Sequence, residues 1–256
     1  MSDLRQVLFL HGGPGLSAEL ERQRFGNTLP VHWWDQPHVD ADVAAPFERL
    51  VDAAEKELGR LFDVQKKPVA LLSSSFGVHL ALALIERVPE KIGSLDILGG
   101  TLDMRMAFVR LAQRISEVNR DADLKAVSVR AEDSGDSESL WALIGKLFTV
   151  GNLLDFYWGP GAQEQCERMK ALAASGVLVH AATFQAVLAD FLGRKLAAPP
   201  TFSGTVRILI GRFDPYARPG DAALWEVVFP KASVEFVGAG HFPHLELPAK
   251  DWMPAL

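Results

Sequence analysis

Cysteine is almost absent. Cys166 is the only one in 256 residues, so no disulfide can form within the chain and a disulfide-stapled fold is excluded. That usage suits a reducing compartment, and a cytoplasmic location is the default expectation. Long apolar runs are missing too: no stretch approaches the ~18 residues of a membrane-spanning helix. The patch Val7–Leu10 is too short for a signal-peptide core and runs straight into His11. No membrane partner is expected. Basic runs stop at the pair Lys66-Lys67, and the formal net charge is −6. A phosphate backbone would meet no positive field, so nucleic acid is not an expected partner. No Cys/His/Asp spacing suggests a metal. His11-Gly12-Gly13-Pro14-Gly15 lacks the Lys-Ser/Thr ending of a phosphate loop, so no cofactor is expected.

What is present is an ordinary globular composition. Hydrophobic residues make up 48% and charged residues 23%, enough to bury the core of one large domain, or of a domain carrying an inserted one. Short apolar runs end in loop-forming residues: Gln6–Leu10, Val69–Leu72, Ser94–Leu98, Thr205–Ile210 and Ala232–Val237. None alternates cleanly, the pattern of strands buried on both faces and hence parallel. Helical spacing separates them. Val43–Phe62 carries Phe47, Leu50, Val51, Ala54, Leu58 and Leu61 at three- and four-residue intervals. Val78–Val88 reads as a buried helix, and Pro219–Val228 as a helix with proline near its start. The alternation predicts an open, mostly parallel α/β sheet.

The middle of the chain breaks this rhythm. Met104–Val118, Glu138–Val150, Gly161–Ala173 and Thr183–Leu196 read as helices, and Val177-Leu178-Val179 is the one strand signal among them. A helical insertion between two strands is expected, with Ala197-Ala198-Pro199-Pro200 as its exit linker and Ala131–Glu138 as a solvated acidic loop.

In such a sheet ligands gather at the carboxyl ends of the strands. The loops there hold Ser73-Ser74-Ser75-Phe76-Gly77, Gly211-Arg212-Phe213-Asp214 and Gly240-His241. A serine hydroxyl is a weak nucleophile at neutral pH. It needs a base within hydrogen-bond reach, and the base needs an orienting carboxylate. One serine, one carboxylate and one imidazole on three loops supply that set for acyl transfer.

These motifs resemble those of the α/β-hydrolase superfamily. Ser73-Ser74-Ser75-Phe76-Gly77 is similar to its nucleophile elbow, small-x-nucleophile-x-small, and Gly77 sets the phase so that Ser75 is the nucleophile; Ser73 replaces the usual first glycine. Gly211-Arg212-Phe213-Asp214 matches the family's acid motif. Gly240 to Pro248 matches its histidine motif, G-H-x-x-x-x-E-x-P. The resemblance thus implies Ser75, Asp214 and His241 as triad. His11-Gly12-Gly13-Pro14 resembles the oxyanion loop, implying backbone N–H groups of Gly13 and Phe76 as its donors. It also implies a core over residues 1–103 and 201–256 with a helical cap over 104–200. Asp103 competes with Asp214 as the acid. His244 is expected to be structural or to line the pocket, His11 to shape its loop, His79 to be a hydrogen-bonded core histidine, and Cys166 to do no chemistry.

Two departures bear on function. The family has two strands before the one leading to the oxyanion loop, and only Met1–Arg5 stand there. Val31–Gln36 would then be a sheet edge with Trp33 and Trp34 on opposite faces, covered by a folded-back loop or by a second copy in a homodimer. HGGPG with Asp35-Gln36 resembles the proline iminopeptidases, but Asp35-Gln36-Pro37-His38 lacks the arginine and glycines of their second motif. The expected activity is therefore a serine carboxylesterase acting on a small or medium ester. The alternatives are an iminopeptidase-like aminopeptidase, a carbon–carbon bond hydrolase, and a non-enzymatic small-molecule binder.

Overall fold

The computed structural model describes residues 6–40, 42–194 and 201–254. A six-stranded sheet runs β2-β1-β3-β4-β5-β6, built from β1 (Val7–Leu10), β2 (Val31–Trp34), β3 (Val69–Ser74), β4 (Ile92–Leu98), β5 (Thr205–Gly211) and β6 (Ser233–Val237). Every pairing is parallel. β1 and β3 are buried along their whole length, which is why their sequences do not alternate. Among the described residues no strand precedes β1, and β2 is an edge.

The helices are α1 (Glu19–Phe25), α2 (Pro46–Gln65), α3 (Gly77–Arg87), α4 (Met104–Asn119), α5 (Ala122–Ser134), α6 (Ser137–Leu147), α7 (Gln163–Ala174), α8 (Ala181–Leu192), α9 (Asp221–Val228), α10 (Pro243–Glu246) and α11 (Ala249–Trp252), with α2 and α3 against one face of the sheet and α1 and α11 against the other. Successive strand side chains point to opposite faces. Leu8, Leu10, Leu71 and Ile97 join the apolar stripe of α2 and the buried side of α3 in the larger core. Val7, Phe9, Leu72 and Leu209 join Ala18, Trp252 and Phe25 in the second. The seven buried residues of α2 include every position its spacing predicted.

The β2 edge divides its tryptophans as expected. Trp33 enters the second core and Trp34 packs against the first. The α1 segment folds back onto this edge. Arg22 donates to the Trp33 carbonyl at 3.2 Å, the Trp33 indole N–H donates to the Gly26 carbonyl at 3.2 Å, and the Phe25 ring stacks on Trp33 at 5.6 Å.

Helices α4 to α8 lie between β4 and β5 in the chain. α4, α6 and α8 pack into the same core as the sheet. Two expectations fail here. The acidic run 131–138 is not one loop. Leu124, Ser128 and Ala131 bury one side of α5, which continues to Ser134, and Gly135 ends it at φ 64°. Asp136 then caps α6 by accepting from the Ser139 N–H. Val177-Leu178-Val179 is not a strand, because Leu178 plugs a small core under α7 while its neighbours stay exposed. The expected linker 197–200 lies outside the described residues. Among the described residues no helix is long and apolar enough to cross a membrane.

Candidate active site

β3 ends at Ser74 and α3 begins at Gly77. The reversal between them is too tight for ordinary backbone, and Ser75 takes φ 51°. A left-handed conformation costs a non-glycine residue roughly 1–2 kcal/mol, a cost that surrounding packing must hold in place. The small flank has a direct reason: a Cβ on Gly77 would lie 2.0 Å from the Leu10 carbonyl oxygen. Ser73, in place of the usual glycine, is fully buried, with its hydroxyl 3.4 Å from the Asp96 carbonyl. Of the three serines, Ser75 is the one brought to an imidazole.

Ser75 Oγ lies 2.8 Å from His241 Nε2, and His241 Nδ1 lies 2.9 Å from Asp214 Oδ2. A carboxylate oxygen accepts, so Nδ1–H donates to Asp214 and Nε2 is left to accept the serine proton. The other Asp214 oxygen accepts the Tyr216 N–H at 2.9 Å. All three side chains are buried, Ser75 being the most open at 8%. Asp103, the competing acid, is exposed and caps α4 by accepting from the Met106 N–H.

The glycine loop after β1 stands over the elbow. His11 Nε2 accepts the Gln36 N–H at 3.0 Å, so its proton sits on Nδ1, which donates to the Gly12 carbonyl at 2.8 Å. Burial lowers the His11 pKa, and the ring shapes its loop as a neutral group. Gly13 has φ 54°. The amides of Phe76 and Gly77 fall in the first turn of α3, where a helix supplies no acceptor of its own. That helix end also favours negative charge.

Other singled-out residues lie apart from this chemistry. His244 is fully buried with Nε2 2.8 Å from Glu21 Oε1, joining α10 to α1. The Cys166 thiol donates to Asp155 Oδ1 at 3.3 Å and is pushed up to about 11 by burial, the opposite of an activated nucleophile. His79 corrects an expectation. It is buried but not hydrogen-bonded through Nε2, because the rings of Phe191 at 4.3 Å and Phe76 at 5.5 Å surround it. Desolvation lowers its pKa to about 3.

Three residues went unassigned by sequence reasoning. The Tyr216 ring stands edge-on to the imidazole at 4.6 Å, and its hydroxyl is 2.9 Å from that of Tyr157. Burial pushes Tyr157 up to about 12 and Tyr216 well above the usual phenol value, so the pair stays neutral. The Tyr157 carbonyl accepts the His241 N–H at 2.7 Å. Glu246 accepts from the Gly240 N–H at 2.8 Å and the Gly159 N–H at 3.0 Å. Its place in the histidine motif was visible; its partner in the helical segment was not.

No protein-family model and no curated relative matches the sequence. Solved structures do. A proline iminopeptidase-related protein from Thermus thermophilus has a TM-score of 0.67 at 22% identity, over 94% of this chain and 84% of that one. An N-acyl homoserine lactone degrading enzyme has 0.61 at 16%, over 96% and 89%. A thermophilic esterase from Thermogutta terrifontis has 0.61 at 17%, over 96% and 85%. These neighbours are members of the α/β-hydrolase superfamily, and the single parallel sheet, flanked by helices on both faces, has the α/β-hydrolase fold.

Proposed function

We propose that the protein is a serine hydrolase that cleaves a small or medium carboxylic ester through an acyl-enzyme. The observation that carries this reading is the continuous chain from Ser75 Oγ through His241 to Asp214, with links of 2.8 and 2.9 Å. Ser75 Oγ attacks the carbonyl carbon as its proton passes to His241 Nε2. Asp214 holds the ring and stabilises the imidazolium. The N–H groups of Gly13 and Phe76 receive the oxyanion, a contribution of about 2.7–4 kcal/mol per donor. The intermediate collapses as His241 returns the proton to the leaving alcohol. Water, deprotonated by the same imidazole, then releases the acid.

An ester is favoured over an amino-terminal peptide by the surroundings. The groups beside His241 are the rings of Tyr157, Tyr216 and Phe242. The nearby carboxylates of Asp214 and Glu246 are already engaged with His241 and with backbone N–H groups. A substrate ammonium would have to share one of these carboxylates with bonds already made.

The test is intact mass after exposure to a fluorophosphonate, with peptide mapping, followed by aryl-ester, β-diketone and prolyl-anilide panels. The expected result is one adduct on Ser75, absent in Ser75→Ala and His241→Ala, with turnover of esters. A folded protein that takes no adduct would overturn the hydrolase reading and favour a binding protein. Turnover confined to diketones or prolyl anilides would overturn the ester class alone.

A further inference from the structure

Glu246 sits two residues beyond the histidine loop's second buried imidazole, His244, and belongs to none of the steps above. Its carboxylate joins two segments far apart in the chain. One oxygen takes the N–H of Gly240, next to His241; the other takes the N–H of Gly159, in the segment between α6 and α7. One further contact ties the same segments, and a second ties the Tyr157–Gly159 segment to the Asp214 loop. The His241 N–H donates to the Tyr157 carbonyl at 2.7 Å, and the Tyr157 hydroxyl meets that of Tyr216 at 2.9 Å. The fit is close on both sides of the contact, so an added side chain would force a neighbour to shift. A Cβ on Gly240 would lie 2.3 Å from the Tyr157 carbonyl oxygen, and one on Gly159 2.7 Å from Glu246 Oε2.

We infer that Glu246 is a positioning residue for the general base: it clamps the His241 loop to the Tyr157–Gly159 segment, so that the helical insertion sets the imidazole against Ser75. This inference rests on the hydrolase reading above. A carboxylate suits the role because it alone among side chains accepts from two N–H groups without presenting a donor. An amide in its place would turn its NH₂ toward one of them. The groups facing Glu246 are His241 and Asp214 on the catalytic side and Arg24 of α1. The groups facing His241 are Asp214, Glu246, Tyr157 and Tyr216.

The test compares wild type, Glu246→Gln and Gly159→Ala by the rate of fluorophosphonate labelling at Ser75 across pH 5–9, with thermal melts as the check on folding. The expected result is labelling slowed about ten- to a hundredfold in both variants, the scale of an ångström's misplacement. The acid limb should move to lower pH in Glu246→Gln, where a negative charge near the imidazolium is lost. It should stay in place in Gly159→Ala, where the charge remains and only the fit is disturbed. Wild-type rates in folded Glu246→Gln, or in folded Gly159→Ala, would overturn the positioning role. Loss of folding in both would overturn it too, leaving a structural contact. If wild type itself takes no label, the failure lies with the hydrolase reading and not with the clamp.

Discussion

Gly12 and Ser75 stand in contact across two loops: a Cβ on Gly12 would fall 2.9 Å from the Ser75 Cβ. The added methyl of Gly12→Ala has Ser75, the proposed nucleophile, as its nearest obstacle. This variant is expected to fold and to lose at least about tenfold in kcat/KM as Ser75 is pushed from His241. Gly77→Ala is expected to fail differently, because its methyl meets main chain, the Leu10 carbonyl oxygen at 2.0 Å. Overpacking against immovable backbone should cost about 3 kcal/mol or more. Thermal melts and ester kinetics on both variants separate the two outcomes, and an active Gly12→Ala would show that the loops do not meet in this way.

Position 75 reports the strain of the elbow. Alanine and glycine both remove the hydroxyl, so both abolish activity, but only glycine takes φ 51° without steric cost. Ser75→Gly is therefore expected to be more stable than Ser75→Ala by about 1 kcal/mol, the left-handed penalty less the entropy glycine adds to the unfolded chain. Urea denaturation of the two inactive proteins measures it. The ordinary order, alanine above glycine, would mean that residue 75 is not held left-handed.

Asp214→Asn tests the tautomer. The Tyr216 N–H donates to one Asp214 oxygen, so an asparagine will keep its carbonyl there and turn its NH₂ toward His241 Nδ1. That places the imidazole proton on Nε2, which can no longer accept from Ser75. A fall in kcat of about 10⁴-fold with little change in KM is expected, and steady-state kinetics on a soluble aryl ester would show it. A loss below tenfold would move the acid role elsewhere.

His79 makes stability depend on pH. Its folded pKa of about 3 lies below the ordinary 6.5, so between those values the unfolded chain binds the proton and the folded one does not. Stability is full above pH 6.5 and falls as pH drops toward 3. At about 1.36 kcal/mol per unit, the loss from this group at pH 5 is about 2 kcal/mol. His79→Leu, which suits the space between Phe76 and Phe191, should remove that slope. The check is denaturation at pH 7 and pH 5, where wild type should lose about 2 kcal/mol more than the variant. Equal losses would mean that His79 is protonated or hydrated in the folded state.

Local pattern alone determined much of this molecule. The unbroken apolar runs at Val7–Leu10 and Val69–Leu72 meant strands buried on both faces, and the spacing from Phe47 to Leu61 meant the buried side of α2. Those readings hold because burial falls on every residue of a strand covered on both faces and on every third and fourth residue of a helix covered on one, a signal each segment carries by itself. Ser75, Asp214 and His241 were legible because each stands at a strand end with its own short motif. The end of the acidic run as helix, cap and helix was harder to see, since it depends on Ala131 packing against its neighbours. What only tertiary structure decided were contacts between segments with no pattern in common. These include the Gly159 N–H on Glu246, the Tyr157 hydroxyl on Tyr216, and the aromatic shell that leaves His79 Nε2 without a partner. A hydrogen bond or a desolvated ring is a property of two surfaces brought together by the whole fold, and neither surface records its partner in its own order of residues.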